Sequence, residues 1–340
     1  MPGALVDALG LEIRSDDPIP ELIASLQGKA MLLVLDNCEH VIETAAPLAA
    51  RILRGAPGVQ ILATSREPSR AEGEHVHRLP PLQTPRTSVG LTAAEALGFP
   101  AVRLFVERAA ATLGAFELND AGAPIVADIC RKLDGIPLAI ELAAGRVDAF
   151  GLRGLAAHLD DPLQLLTGGR RSALPRHRTM RAALDWGHDL LPERERAVLR
   201  RLAIFAGSFT LEAASAVAAS TEIADAEVVG CVANLVAKSL TAAEVGGEAP
   251  CYRLLETTRA YALEKLADSG ELEQVERHYT DYSRGLVQRT EVGWGSTPAA
   301  KRLAGCGRRR IDAAQEDWAF SPAGDALIGG ALMDGSVPAR

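Results

Sequence analysis

The residues of this chain best placed to do chemistry follow directly on apolar ones. In MLLVLDNCEHV, residues 31–41, five large apolar side chains lead into Asp36 and the chain then turns polar. A continuous apolar run of this length reads as a strand buried on both faces. A carboxylate at the C-terminal end of a parallel strand lies where open α/β sheets bind ligands. In nucleoside-triphosphate sites such an aspartate holds magnesium, directly or through water. A second apolar run, VQILA at 59–63, ends in Thr64, Ser65 and Arg66. A hydroxyl and a guanidinium at the equivalent edge could sense a terminal phosphate. The plainer alternatives stay open: Asp36 starts a turn or caps the next helix, and Arg66 is an ordinary surface arginine.

Other reactive residues form weaker patterns. His75 and His77 stand two apart in EHVHRL, residues 74–79, so both could face one side of a strand. As metal ligands they need another partner, and the sequence names none. Cys38, Glu39 and His40 are adjacent, but on a strand-to-helix turn that neighbourhood is more often incidental. There is no H-E-x-x-H, no G-x-S-x-G and no nucleophilic cysteine context. The 5 cysteines are scattered without ligand spacing, which argues against a disulfide framework or structural zinc and fits a reducing cytoplasm. A formal charge of −8 over 340 residues excludes a wholesale non-specific nucleic-acid binder, though not a local basic patch. The best such patch is GGRRSALPRHRTMR, with Arg170, Arg171, Arg176, His177, Arg178 and Arg181. It reads as a solvated linker first and a phosphate or acidic-surface contact second. No apolar run is long enough to span a bilayer, and the acidic N-terminus is not a signal peptide.

The elements that must position these groups follow from hydrophobic period. Residues 20–26 read as a short helix opened by proline, 31–35 as a strand, 42–53 as a helix and 59–63 as a strand, with 74–79 as a third strand candidate. From Pro100 the period is helical: 101–113, 123–133, a third helix opened by Pro137, and 152–159. These form a compact bundle. After the basic linker come helices at 192–205, at 210–218 with Thr210 as N-cap, and at 225–240 with Val228, Val232, Leu235 and Val236 in one stripe. LTAAEV and CYRLL then form a hairpin turning at Gly246-Gly247, and a helix at 256–267 ends before Gly270. Three helices and a hairpin make a winged helix.

Taken in order, LLVLDNCEHV, VQILATSRE, LDGIPLAIELAAGRV, LLPERERAVLRRLAIFAGSFTLEAA and YRLLETTRAYALEKL resemble the bacterial regulators built on an NB-ARC-like signal-transducing ATPase, the STAND class. The resemblance covers residues 1 to about 325. It implies an α/β chain followed by an all-α one. The expected domains are the C-terminal half of a P-loop NTPase parallel sheet over 1–88, a helical bundle over 95–168, a winged helix over 185–267 and the start of a helical repeat region over 271–340. It implies that Asp36 is the Walker B acid and magnesium residue, and that Thr64, Ser65 and Arg66 end the sensor strand. Gly135, Ile136 and Pro137 match a Gly-x-Pro element whose proline lies near adenine; from spacing alone Gly135 caps one helix and Pro137 starts the next. Asn37 stands where many relatives carry a second acid, which weakens the case for fast hydrolysis. Glu39 is the substitute base, or else a helix-start acid.

No G-x-x-x-x-G-K-[ST] occurs, and Gly28-Lys29-Ala30 precedes a strand instead of following one. The expectation is therefore an internal or truncated piece, cut at both ends, with an exposed sheet edge prone to aggregation. Such a piece would be inactive alone as an ATPase, with ATP or ADP and Mg bound tightly only in an intact parent. The expected function is part of a cytoplasmic ATP/ADP-switched transcription regulator. Protein partners or self-association would use the helical regions, and DNA would be reached only through a missing effector domain. The alternatives are a non-functional remnant and an interaction scaffold without nucleotide.

Overall fold

The computed structural model describes residues 2–12, 17–159, 162–166, 178–244 and 250–291, with side chains through residue 286. The chain divides into two compact units, residues 1–80 with 237–239, and the remainder.

The first unit opens with α1 (Pro2–Ala8) and α2 (Ile19–Leu26), the latter with proline in its first turn, where a missing N–H costs nothing. Strand β1 (Met31–Leu35) leads through a 3-10 turn at Cys38–His40 into α3 (Ile42–Gly55), which returns the chain to β2 (Val59–Ala63). The strands pair in parallel from Met31↔Val59 to Leu35↔Ala63. This is one strand–helix–strand crossover. Its core is Leu22, Leu26, Leu33, Leu48, Ile52 and Val59.

Two expectations need correction. The strands are not buried on both faces: Leu32, Val34 and Leu62 are 56%, 61% and 55% exposed, because the helices pack on one side of the pair only. Residues 74–79 form no strand, and both His75 and His77 are exposed. Pro80 and Pro81 follow at once, and alternation without a pairing partner does not hold a strand. The parallel sheet among the described residues is therefore a two-stranded pair.

The second unit is helical apart from one hairpin. It begins with α4 (Ala93–Ala96), closed by a reciprocal Thr92–Glu95 capping box, then α5 (Pro100–Leu113) and α6 (Ala123–Lys132). Next come α7 (Pro137–Ala144), α8 (Val147–His158, broken at Gly151) and α9 (Pro162–Leu165). Phe105, Ile129, Leu133, Ile140, Leu155 and Leu163 fill the bundle core. The patch at 168–181 lies mostly outside the described residues. Its C-terminal end is helical, since α10 (Met180–Asp189) starts there with Thr179 as N-cap. Arg181 is accordingly no free linker charge: it sits 2.7 Å from Glu264.

A second core follows. It is built by α11 (Glu193–Leu202), α12 (Leu211–Ala218, capped by Thr210), α13 (Asp225–Ala237), β3 (Thr241–Glu244) and β4 (Cys251–Leu254). Helices α14 (Glu256–Ser269) and α15 (Leu272–Glu291) complete the described chain. Pro192 is the residue before α11, not its first position. β3 and β4 pair antiparallel, Thr241↔Leu254 to Glu244↔Cys251. The hairpin tip at 245–249 and the rest of the expected repeat region, 292–340, lie outside the described residues.

Helix α14 serves both cores. Tyr261 belongs to the bundle core, while Ala262 and Leu266 belong to the winged-helix core. Tyr261 is fully enclosed and donates its hydroxyl to Asp185 at 2.7 Å. At the far end of α14, Glu271 accepts from Arg200 Nε at 2.7 Å and from Arg201 Nη2 at 2.8 Å, and the nearly buried Arg201 also donates to Ala218 O at 2.8 Å.

Two outcomes follow. Gly135→Ala should destabilise the second unit by about 2–4 kcal/mol in urea titration, combining left-handed strain with a clash. The reason is that Gly135 has φ +69° and an added Cβ would lie 2.1 Å from Leu82 O. Second, burial raises the Glu271 carboxyl, but hydrogen bonds from Arg200 and Arg201 outweigh it and bring it down to about 2. A depressed folded pKa gives stability that is complete above the unfolded carboxyl range and is lost as pH falls from about 4.5 towards 2. With the side chain still 23% exposed, the contribution is discounted to about 1–2 kcal/mol. Thermal melts of the native chain and of Glu271→Gln should differ most at pH 6–7 and converge near pH 2.

Candidate functional site

The parallel register that ends at Leu35↔Ala63 carries Asp36 and Thr64 forward side by side. Thr64 Oγ1 donates to Asp36 Oδ1 at 2.5 Å and accepts from the Asn37 backbone N–H at 2.9 Å. Asn37 Nδ2 donates to Asp36 Oδ2 at 2.8 Å. Backbone bonds close the junction: Thr64 N to Leu35 O and Cys38 N to Thr64 O, each 2.9 Å. Asn37 takes a left-handed conformation, φ +57°, which asparagine tolerates better than most residues. The N-cap position of the following turn is Asn37, without a side-chain cap hydrogen bond, and the Asp36 oxygens accept from side chains instead. Each of its oxygens accepts a bond from a neighbour, which fixes the carboxylate at the C-terminal edge of the strand pair.

Glu39 and Arg66 also meet. Arg66 Nε lies 3.9 Å from Glu39 Oε1, with the Glu39 side chain only 6% exposed. Glu39 Oε2 is buried without a hydrogen-bond partner. A nearly buried carboxylate held by one ion pair at the outer limit of contact is an expensive arrangement, and such groups gather where a protein binds or positions something. Burial, then the neighbouring Glu39 and Asp36 charges, push the Cys38 thiol up, so Cys38 is not an activated nucleophile. Ser65 Oγ accepts from Glu67 N at 3.3 Å.

Among the described residues no group of three or more His, Cys, Asp or Glu is placed to hold a metal. Magnesium commonly keeps several waters and takes one or two carboxylates plus substrate phosphates. Asp36 fits the role of that single carboxylate and cannot form a closed site by itself.

Gly135 and Pro137 belong to the second unit. Pro137 is the first residue of α7, with Ile136 as its N-cap, and Gly135 donates to Cys130 O at 3.0 Å to end α6. Leu82 N donates to Gly135 O at 2.9 Å, so this turn is packed against backbone on one side. The residue before it, Asp134, escaped the sequence reading. It is left-handed too, φ +51°, and its carboxylate accepts from Arg253 Nη1 at 2.8 Å and from Glu256 N at 2.5 Å. Only the fold reveals these partners, more than a hundred residues away.

The winged helix offers a second candidate surface. The exposed positions of α13 are Asp225, Ala226, Val229, Gly230, Ala233 and Asn234. None is a cation. Glu227 pairs with Arg194 and accepts from Ala224 N, and Asn234 Nδ2 donates to Glu195 at 2.9 Å. In the described part of the wing the one cation is Arg253, already facing Asp134 and, at 3.5 Å, Glu244.

Comparison with known proteins fits this architecture. Residues 191–267 match the family described as winged helix-turn-helix domain. The chain is 42% identical over 296 residues to the "Putative HTH-type transcriptional regulator Rv0890c" of Mycobacterium tuberculosis, covering 86% of this chain and 31% of that protein. A protein of Mycobacterium bovis, "Putative HTH-type transcriptional regulator Mb0914c", matches to the same extent. The chain thus spans about a third of the length of these regulators. It is also 37% identical over 294 residues to "Uncharacterized protein Rv0894" of Mycobacterium tuberculosis, covering 86% of this chain and 72% of that protein. Identity at this level over most of both chains means that this protein belongs to the family of the mycobacterial protein Rv0894, with a winged helix-turn-helix domain at residues 191–267.

Proposed function

We propose that this chain is the signal-transmitting segment of a transcription regulator, and that its winged helix faces protein in place of DNA. The observation that carries this reading is the exposed face of α13. Its Ala226, Val229, Gly230 and Ala233 are small or apolar, and acids occupy its first turn. A helix that docks on a duplex needs Lys or Arg on the docking face, because neutralised phosphates supply most of the affinity. The names of the regulators sharing 42% identity support the transcriptional setting.

The finer part of the proposal is nucleotide dependence. Its support is Asp36, fixed by Thr64 and Asn37 at the C-terminal edge of a parallel strand pair, the position where such sheets bind ligands. Arg66, against Glu39, is the accompanying cation. When bound, a magnesium nucleotide would supply a charge-dependent bias between two arrangements of the regulator. Asp36 would hold the magnesium, and Arg66 would meet phosphate charge. Without a phosphate-loop sequence in the chain, tight binding is not expected of these residues alone.

A second reading has DNA held by the winged helix itself, favoured by the family match at 191–267. Fluorescence anisotropy with a labelled random duplex separates the two. The protein-facing reading predicts no saturation up to about 100 µM protein at roughly 0.15 M salt, beyond the usual non-specific range. Binding in the low micromolar range, with a log K against log salt slope steeper than about −3, would show phosphate contacts and overturn it.

A further inference from the structure

We propose that Glu39 is a built-in competitor for Arg66: its carboxylate holds the guanidinium until a multiply charged oxyanion, a polyphosphate in place of a single phosphate, draws it away. The inference rests on the phosphate reading of this strand edge and adds how strong a ligand the edge demands.

The two acids at the edge are held differently. Asp36 receives neutral donors, Thr64 Oγ1 at 2.5 Å and Asn37 Nδ2 at 2.8 Å. Glu39, in the 3-10 turn Cys38–His40, instead faces a charge. Its side chain is 6% exposed, and its ion-pair partner among the described residues is Arg66, with Nε 3.9 Å from Oε1. At that separation the charges attract without a hydrogen bond. The second oxygen, Oε2, is buried and accepts no hydrogen bond from the chain. A buried carboxylate in this state depends heavily on the nearby guanidinium.

The partners differ in reach. Arg66 lies in a bend just beyond β2, and its side chain is 34% exposed, so it can turn to a ligand arriving from solvent. Glu39 is enclosed and cannot follow. Departure of the guanidinium leaves a buried charge uncompensated, which costs more than the pair itself is worth. That cost opposes every anion that takes Arg66. The surroundings oppose it too, because they are already negative: burial, then the Glu39 and Asp36 charges, push the Cys38 thiol up. A single phosphate has few charges to set against this. A polyphosphate has several, and its oxygens can bond the guanidinium bidentately, which the long Glu39 contact does not.

Isothermal titration calorimetry on the full chain in metal-free buffer tests this, with tripolyphosphate and orthophosphate as probes. Glu39→Gln keeps the shape of the side chain and removes its charge. It should bind tripolyphosphate about tenfold more tightly than the native chain, or better. Arg66→Met should bind neither anion, and Glu39→Gln combined with Arg66→Met should lose the gain. Equal or weaker binding by Glu39→Gln would overturn the competitor, since a carboxylate that only positions Arg66 predicts weakening. A gain that survives Arg66→Met would overturn it as well. NMR of the Arg66 side-chain Nε–H in the unaltered chain tests the same point without a variant. The resonance should move with tripolyphosphate and stay in place with orthophosphate at equal ionic strength; movement with both, or with neither, counts against the proposal. Magnesium ATP in the same calorimeter separates the two readings. A tripolyphosphate gain without magnesium ATP binding keeps the competitor and removes the nucleotide. Magnesium ATP binding that Glu39→Gln does not strengthen removes the competitor and keeps the nucleotide.

Discussion

The second unit depends on one helix having to satisfy two cores at once. Along α14, Tyr261 points into the bundle, while Ala262 and Leu266 point into the winged-helix core. Burial of these side chains fixes the rotation of the helix about its axis, because neighbouring positions face different cores. The polar contacts then complete what burial begins: Tyr261 to Asp185, Arg181 to Glu264, and Glu271 to Arg200 and Arg201. The helix is charged and has little one-sided apolar character, as expected of an element covered on more than one side.

Much of the local structure was legible in the residues. Proline at the first position of α7, glycine after α14 and Thr210 before α12 mark their helix ends by backbone chemistry. Of the stripe Val228, Val232, Leu235 and Val236, the first three are buried and Val236 is half-buried. The strand candidate at 74–79 failed because alternation states only that two faces differ, not that a neighbouring strand exists. Helix α10 was missed because its start overlaps the basic run, whose arginines suggested a solvated linker. Arg181 instead has Glu264 to face.

The site residues show the same division. That Asp36 and Thr64 end adjacent strands follows from two apolar runs of equal length, and the structure joins them by a hydrogen bond of 2.5 Å. The Glu39–Arg66 pairing and the burial of Glu39 had no signal in spacing, since Glu39 lies in a one-turn 3-10 helix and Arg66 in a bend. Asp134 had none either: its neighbours Gly135 and Pro137 drew notice by residue type, while a lone aspartate before a glycine looks like any turn.

The open face of the β1–β2 pair has a thermodynamic consequence. Leu32, Val34 and Leu62 stand on one side of the sheet and keep most of their surface in water. The heat capacity increment of unfolding arises mainly from apolar surface newly hydrated on unfolding. Side chains already hydrated in the folded state add little to it. The first unit is thus expected to have a flatter stability curve than its apolar content suggests, with a smaller increment per residue than the second unit, where Phe105, Ile129 and Leu133 are fully enclosed.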